Sequence, residues 1–116
     1  MTPFGSKIRA LRAHKGVSLK QMAADLHLSS AYLSALEHGQ RGRPSPGLVM
    51  QILGYFNVIW DEAEEIKRLA ELSHPKVTID TSGLSPIATE VANRLSEQIR
   101  DLSETDLRAL LGILKE

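Results

Sequence analysis

The 116-residue chain contains no cysteine, which excludes a disulfide framework and a thiolate metal centre. Aromatic side chains are scarce, with two Phe, two Tyr and one Trp among 42% hydrophobic residues. This suits a core built mainly from Leu, Ile, Val and Ala, a composition commoner in helix bundles than in aromatic-rich β-sandwiches. No run approaches the roughly 18 apolar residues of a membrane-spanning helix, and residues 1–16 lack the apolar block of a signal peptide. The expectation is a cytoplasmic protein with no membrane partner. Catalytic signatures are missing as well: there is no glycine-rich phosphate loop and no nucleophile beside a base, so neither enzyme activity nor a cofactor is expected. His14, His27, His38 and His74 show no paired spacing on one helix face, so no metal site is expected. The acids Asp61, Glu62, Glu64 and Glu65 suit the positive end of a helix better than a catalytic dyad.

A net charge of zero conceals a division along the chain. Residues 1–59 hold seven Lys and Arg against two acids, whereas residues 60–116 hold seven against twelve. Such a split points to a basic face that meets nucleic acid and an acidic part with another task.

Helical periodicity recurs throughout. Thr2 and Pro3 open a helix with Phe4, Ile8 and Leu11 inward, stopped by Gly16. Ser18 caps a second helix carrying Met22, Ala23 and Leu26, and Ser29 caps a third carrying Tyr32, Leu33 and Leu36 that ends at Gly39. The segment 39–46 has too much Gly and Pro for a helix and reads as an exposed loop holding two arginines. A fourth helix begins near Ser45 and Pro46 and runs through Leu48, Val49, Ile52, Leu53 and Phe56, with Asn57 as a left-handed stop. Asp61 and Glu64 resemble a capping box for a fifth helix bearing Ile66, Leu69 and Ala70. Residues 74–85 form a linker or, given the alternation of Val77 and Ile79 with polar residues, one short strand. Beyond it, Ile87, Val91, Leu95, Ile99 and Leu102 lie on one stripe of a sixth helix, and a seventh opens at Ser103 with Leu107, Leu110, Leu111 and Leu114.

The stretch from Ser18 to Gly39 is thus a capped helix, a tight turn at His27 and a second capped helix, which is a helix-turn-helix. The residues Ala23, Leu26, Leu28, Ser29, Leu33, Leu36, Glu37 and Gly39, with the flanking first and fourth helices, resemble the Xre-type family of phage lambda repressor and Cro-like regulators over residues 3–72. The resemblance implies a five-helix lambda-repressor-like DNA-binding domain (1–73), and the two apolar stripes beyond the linker add a C-terminal two-helix hairpin (86–116), an all-α chain throughout. It also implies that Glu37 makes an internal polar contact fixing the third helix. Two positions depart from the family pattern. Leu19 stands where a Gln holds a phosphate and offers only its amide, and His27 replaces the turn glycine, where a left-handed conformation is uncommon but tolerated.

In the DNA-binding version of this motif the second helix places its first residues against base edges in the major groove. By position, Ser30, Ala31, Tyr32, Ser34 and Ala35 are the base-facing candidates. None is Arg, Asn or Gln, so readout would rest on hydroxyl hydrogen bonds and contacts with thymine methyl groups. Arg41 and Arg43 are candidates for phosphate or narrow minor-groove contacts, and Arg9 or Arg12, Leu19 through its amide, and Lys20 for phosphate contacts.

A unit this small gains affinity by pairing. A two-helix hairpin cannot bury two apolar stripes by itself, so the C-terminal helices either fold back on the first five or meet a second copy. The second copy is favoured, with Ile87, Val91, Leu95, Ile99 and Leu102 as the dimer interface. The expected function is a sequence-specific transcriptional regulator, of repressor type, that binds double-stranded operator DNA as a homodimer. The alternatives are an antitoxin whose tail holds a partner protein, and an interaction adaptor that has kept the fold without reading DNA.

Overall fold

The computed structural model describes residues 1–115; Glu116, the last residue of the expected hairpin, lies outside them. The chain divides into two units, Met1–Val77 and a second beginning at Thr78, inside the 74–85 segment. Every regular element among the described residues is helical. None of these helices is long and apolar enough to cross a membrane.

Five helices make up the first unit: α1 (Pro3–Lys15), α2 (Leu19–Asp25), α3 (Ser30–Glu37), α4 (Pro46–Tyr55) and α5 (Trp60–Glu71). The hydroxyl of Thr2 caps α1 by accepting from the Gly5 N–H at 3.0 Å. Ser18, Ser29 and Ser45 do the same for the next three helices, accepting from Gln21, Tyr32 and Leu48. Each bond satisfies an N–H that has no partner within its helix. Four helix ends close alike, with Gly16, His27, Gly39 and Asn57 in the left-handed region. At each of them the next amide reaches back to a carbonyl five residues earlier: Val17 to Arg12, Leu28 to Ala23, Gln40 to Ala35 and Val58 to Leu53, the double closure that ends a helix sharply.

The start of α5 differs from expectation. Its boundary residue is Ile59, with no side-chain cap. Asp61 therefore lies within the first helical turn, and Glu64 pairs with Lys67 at 3.1 Å instead of closing a capping box. The cause lies upstream: Val58 packs against the core and its N–H is held by the Leu53 carbonyl. That anchoring leaves only Ile59 before the helix must begin.

All five helices contribute to one core, in which Phe4, Ile8, Met22, Leu33, Leu36, Ile52 and Ile66 are essentially inaccessible. Around it α1 and α3 touch backbone to backbone. A Cβ on Gly5 would lie 2.1 Å from the Glu37 carbonyl oxygen, so only glycine permits this approach. Ser73 closes the ring by accepting from the Phe4 N–H at 2.9 Å and donating to the Leu69 carbonyl at 2.6 Å.

The second unit contains α6 (Pro86–Gln98), a 3-10 turn (Ile99–Asp101) and α7 (Glu104–Lys115). Ser85 caps α6 through the Ala88 N–H, and the Ser103 hydroxyl accepts from the Asp106 N–H at the start of α7. Residues 77–80 form no strand; a turn follows in which Asp80 accepts from the Ser82 N–H at 2.9 Å and Leu84 donates to the Thr81 carbonyl. The expected single stripe is also shorter than its spacing indicates. Ile87, Val91 and Leu95 lie on α6, but Ile99 begins the 3-10 turn and Leu102 is extended with ψ 138°. The Ile99 N–H still bonds to the Leu95 carbonyl, so Ile99 continues the line of the first three, and only Leu102, beyond the 3-10 turn, leaves it. Neither α6 nor α7 contains a buried residue.

Candidate nucleic-acid interface

The turn between α2 and α3 is built by local chemistry. His27 adopts φ 59°, donates its N–H to the Ala24 carbonyl, and is followed by Leu28, whose N–H closes on Ala23 at 2.8 Å. Leu26 and Leu28 on either side of it pack against the core. The turn is thereby pinned at two points, and Ser29 launches α3 directly from it.

Of the base-facing candidates, Ser30 and Ala31 are exposed at the first turn of α3, whereas Tyr32, Ser34 and Ala35 are half-buried. Tyr32 packs on the core, and its ring faces the Arg41 guanidinium, with Cζ 5.9 Å from the centroid. That separation is within cation–π reach, so the loop after α3 is tied to the side of the helix. Ser34 is engaged through its carbonyl, 2.9 Å from His38 Nδ1.

The cationic candidates divide by environment. Arg9, Lys20, Arg41 and Arg43 are exposed, and among the described residues none of them forms an ion pair. Arg41 and Arg43 flank Gly42, whose φ of 75° turns the loop sharply. Leu19 is half-buried against the core. Its side chain is committed inward, so an anion near it can meet only the backbone amide. Arg12, named with Arg9 as a phosphate candidate, is committed elsewhere: its Nη2 donates to both Glu37 carboxylate oxygens at 2.9 and 3.0 Å. Glu37 is 3% exposed and holds α3 to α1.

A further cluster, drawn from residues 30 positions apart, joins α2 to α4. The Tyr55 hydroxyl donates to Asp25 at 2.6 Å, and Gln21 donates to the same carboxylate at 2.7 Å. These hydrogen bonds hold the Asp25 carboxyl below its ordinary range. Burial, with the Asp25 contact second, pushes the Tyr55 hydroxyl up to about 12. Lys15 donates to the Tyr55 carbonyl at 2.9 Å and sits 4.1 Å above its ring. The cluster fixes the outer end of α2, the helix that crosses the nucleic-acid backbone in motifs of this type. No local sequence signal announces it.

Comparison with known proteins reaches the same segment. Residues 3–72, more than half of the chain, match the family model described as "Helix-turn-helix domain". Two relatives from Bacillus subtilis (strain 168) are similar in sequence. The "Uncharacterized HTH-type transcriptional regulator RghRB" is 33% identical over 61 residues, covering 53% of this chain and 44% of that protein. The "HTH-type transcriptional repressor RghR" is 35% identical over 52 residues, covering 45% and 38% respectively. The chain thus spans less than half the length of either relative. No solved structure matches it. With the capped helix pair, its left-handed turn and the matched segment in agreement, the chain belongs to the helix-turn-helix domain family.

Proposed function

We propose that the chain is a DNA-binding transcriptional regulator of the Xre type that occupies operator DNA as a homodimer in the cytoplasm, represses by occupancy, and performs no chemistry. The observation that carries this reading is the exposed first turn of α3, with Ser30 and Ala31 at the surface, in the same unit as the exposed Arg41 and Arg43 of the following loop. Small side chains let the helix backbone come close to base edges, and the arginines supply the phosphate attraction on which affinity rests. The names of the two relatives, a regulator and a repressor, favour the same reading.

Dimerisation is supported by the second unit, whose helices bury no residue. Phosphate contacts alone leave binding near 10⁻⁴ to 10⁻⁶ M, roughly the non-specific range. Two linked recognition helices engage half-sites about 34 Å apart, one turn of the duplex, and so multiply affinity and specificity. The test is a gel shift on DNA upstream of the chain's own gene. The expected outcome is a complex displaced by excess unlabelled specific DNA but not by unrelated DNA. Displacement by both equally would reduce the reading to non-specific DNA binding, and no complex at all would replace it with a protein-interaction adaptor.

A further inference from the structure

A groove of about 440 Å³ lies in the first unit between the loop after α3, α4 and α5. This is within the roughly 300 to 1,000 Å³ of small-molecule sites. Its wall is apolar: Pro44, Val49 and Ala70 are buried, and the exposed Pro46 and Met50 complete it. The prolines hold one side rigid, whereas Met50 is unbranched and adapts to irregular apolar shapes.

Three charged side chains also line it, and their partners differ. Glu71 is paired with Arg68 at 2.9 Å, and Lys67 with Glu64 at 3.1 Å. Arg43 forms no ion pair among the described residues. A groove with an apolar wall and one guanidinium free of ion pairs in its lining complements a ligand with an apolar body and a single carboxylate, which the planar fork can grip with two parallel hydrogen bonds.

We propose that this groove binds a small monocarboxylate with an apolar body, and that the ligand carboxylate competes with DNA phosphate for Arg43. The second half of the proposal rests on the DNA-binding reading above. Because coupling between two ligands is reciprocal, such a ligand would weaken DNA binding and DNA would weaken the ligand.

The probe is octanoate, with octan-1-ol and acetate as controls for the apolar body and the carboxylate alone. On the full chain without DNA, octanoate is expected to shift the amide NMR signals of Val49, Met50 and Ala70 in a saturable manner, with both controls at least tenfold weaker. Arg43→Gln should lower octanoate affinity at least tenfold. The exposed Met50→Glu should abolish binding while leaving the spectrum of a folded protein. Absent shifts, shifts spread over the whole core, or affinity unchanged in both variants would overturn the site. In a second arm, saturating octanoate should reduce the chain's affinity for DNA at least fivefold, and should not do so in Met50→Glu. An unchanged DNA affinity with the groove occupied would overturn the competition. Groove shifts in a chain that binds no DNA would leave the site standing and sink the DNA-binding reading alone.

Discussion

Arg12 on α1 and Glu37 at the end of α3 are joined by one guanidinium nitrogen that meets both carboxylate oxygens, at 2.9 and 3.0 Å. The Glu37 backbone carbonyl accepts from the Thr2 N–H at 3.0 Å. One residue thereby ties α3 to α1 through its side chain and its backbone. The Glu37 side chain is 3% exposed and that of Arg12 12%, so the pair works at low dielectric, where leaving either partner alone is costly.

Arg12→Ala should therefore destabilise the first unit by about 3 to 5 kcal/mol, because it strands a buried carboxylate. The double change Arg12→Met with Glu37→Met should recover most of that loss, since no buried charge remains. Urea unfolding midpoints check both. A loss under about 1 kcal/mol for Arg12→Ala would mean that water reaches Glu37, as it does for exposed pairs.

The Tyr55–Asp25 contact gives stability a bounded pH range. Tyr55 is raised from 10.0 to about 12, so its contribution is complete below pH 10 and disappears as pH rises through about 12. Asp25 is lowered from 3.8, so its contribution is complete above that value and disappears as pH falls through the lowered one. Absorbance at 295 nm should show a tyrosine component near pH 12 that vanishes in Tyr55→Phe. A titration without that component would show the hydroxyl free in solution.

Replacing Arg41 and Arg43 together with alanine should weaken DNA binding at least tenfold. It should also reduce the slope of log affinity against log salt by about two, because each phosphate that is no longer neutralised lowers the slope by roughly one. Fluorescence anisotropy across a salt series measures both quantities. An unchanged slope would place the loop away from the nucleic acid.

Ile87 and Val91 on α6 are 74% and 58% exposed. Burying such a side chain contributes roughly 1.5 to 3 kcal/mol, and Glu at both positions would bring like charges together in a symmetric pair. Ile87→Glu with Val91→Glu should convert a dimer into a folded monomer with weaker operator binding. Sedimentation velocity and circular dichroism read the two properties; a dimer that persists would put the interface elsewhere.

Much of the architecture is legible residue by residue because helix ends are written in local chemistry. Ser18 and Ser29 each cap the helix expected of them, and Ser45 caps the fourth helix where its start was expected. His27 and Asn57 adopt the left-handed conformation that their positions in the pattern required. The exposed candidates Ser30, Ala31, Arg9, Lys20, Arg41 and Arg43 are accessible to a ligand, whereas Tyr32, Ser34 and Ala35 are partly covered by packing that periodicity does not resolve.

What the sequence determined by itself was the order of the helices, their caps and the turn at His27, since each depends on bonds within about five residues. Only the tertiary structure decided which charges remain free. Arg12 and Arg9 look alike in sequence, yet Arg12 is consumed by Glu37, 25 positions away. Distance in sequence likewise hid Ser73 beneath Phe4, the backbone contact at Gly5, and Tyr55 beside Asp25. The start of α5 belongs with these. A cap is an option offered by the local sequence; the anchoring of Val58 determines whether it is used, because burial and backbone pairing outweigh the fraction of a kcal/mol that separates most local preferences.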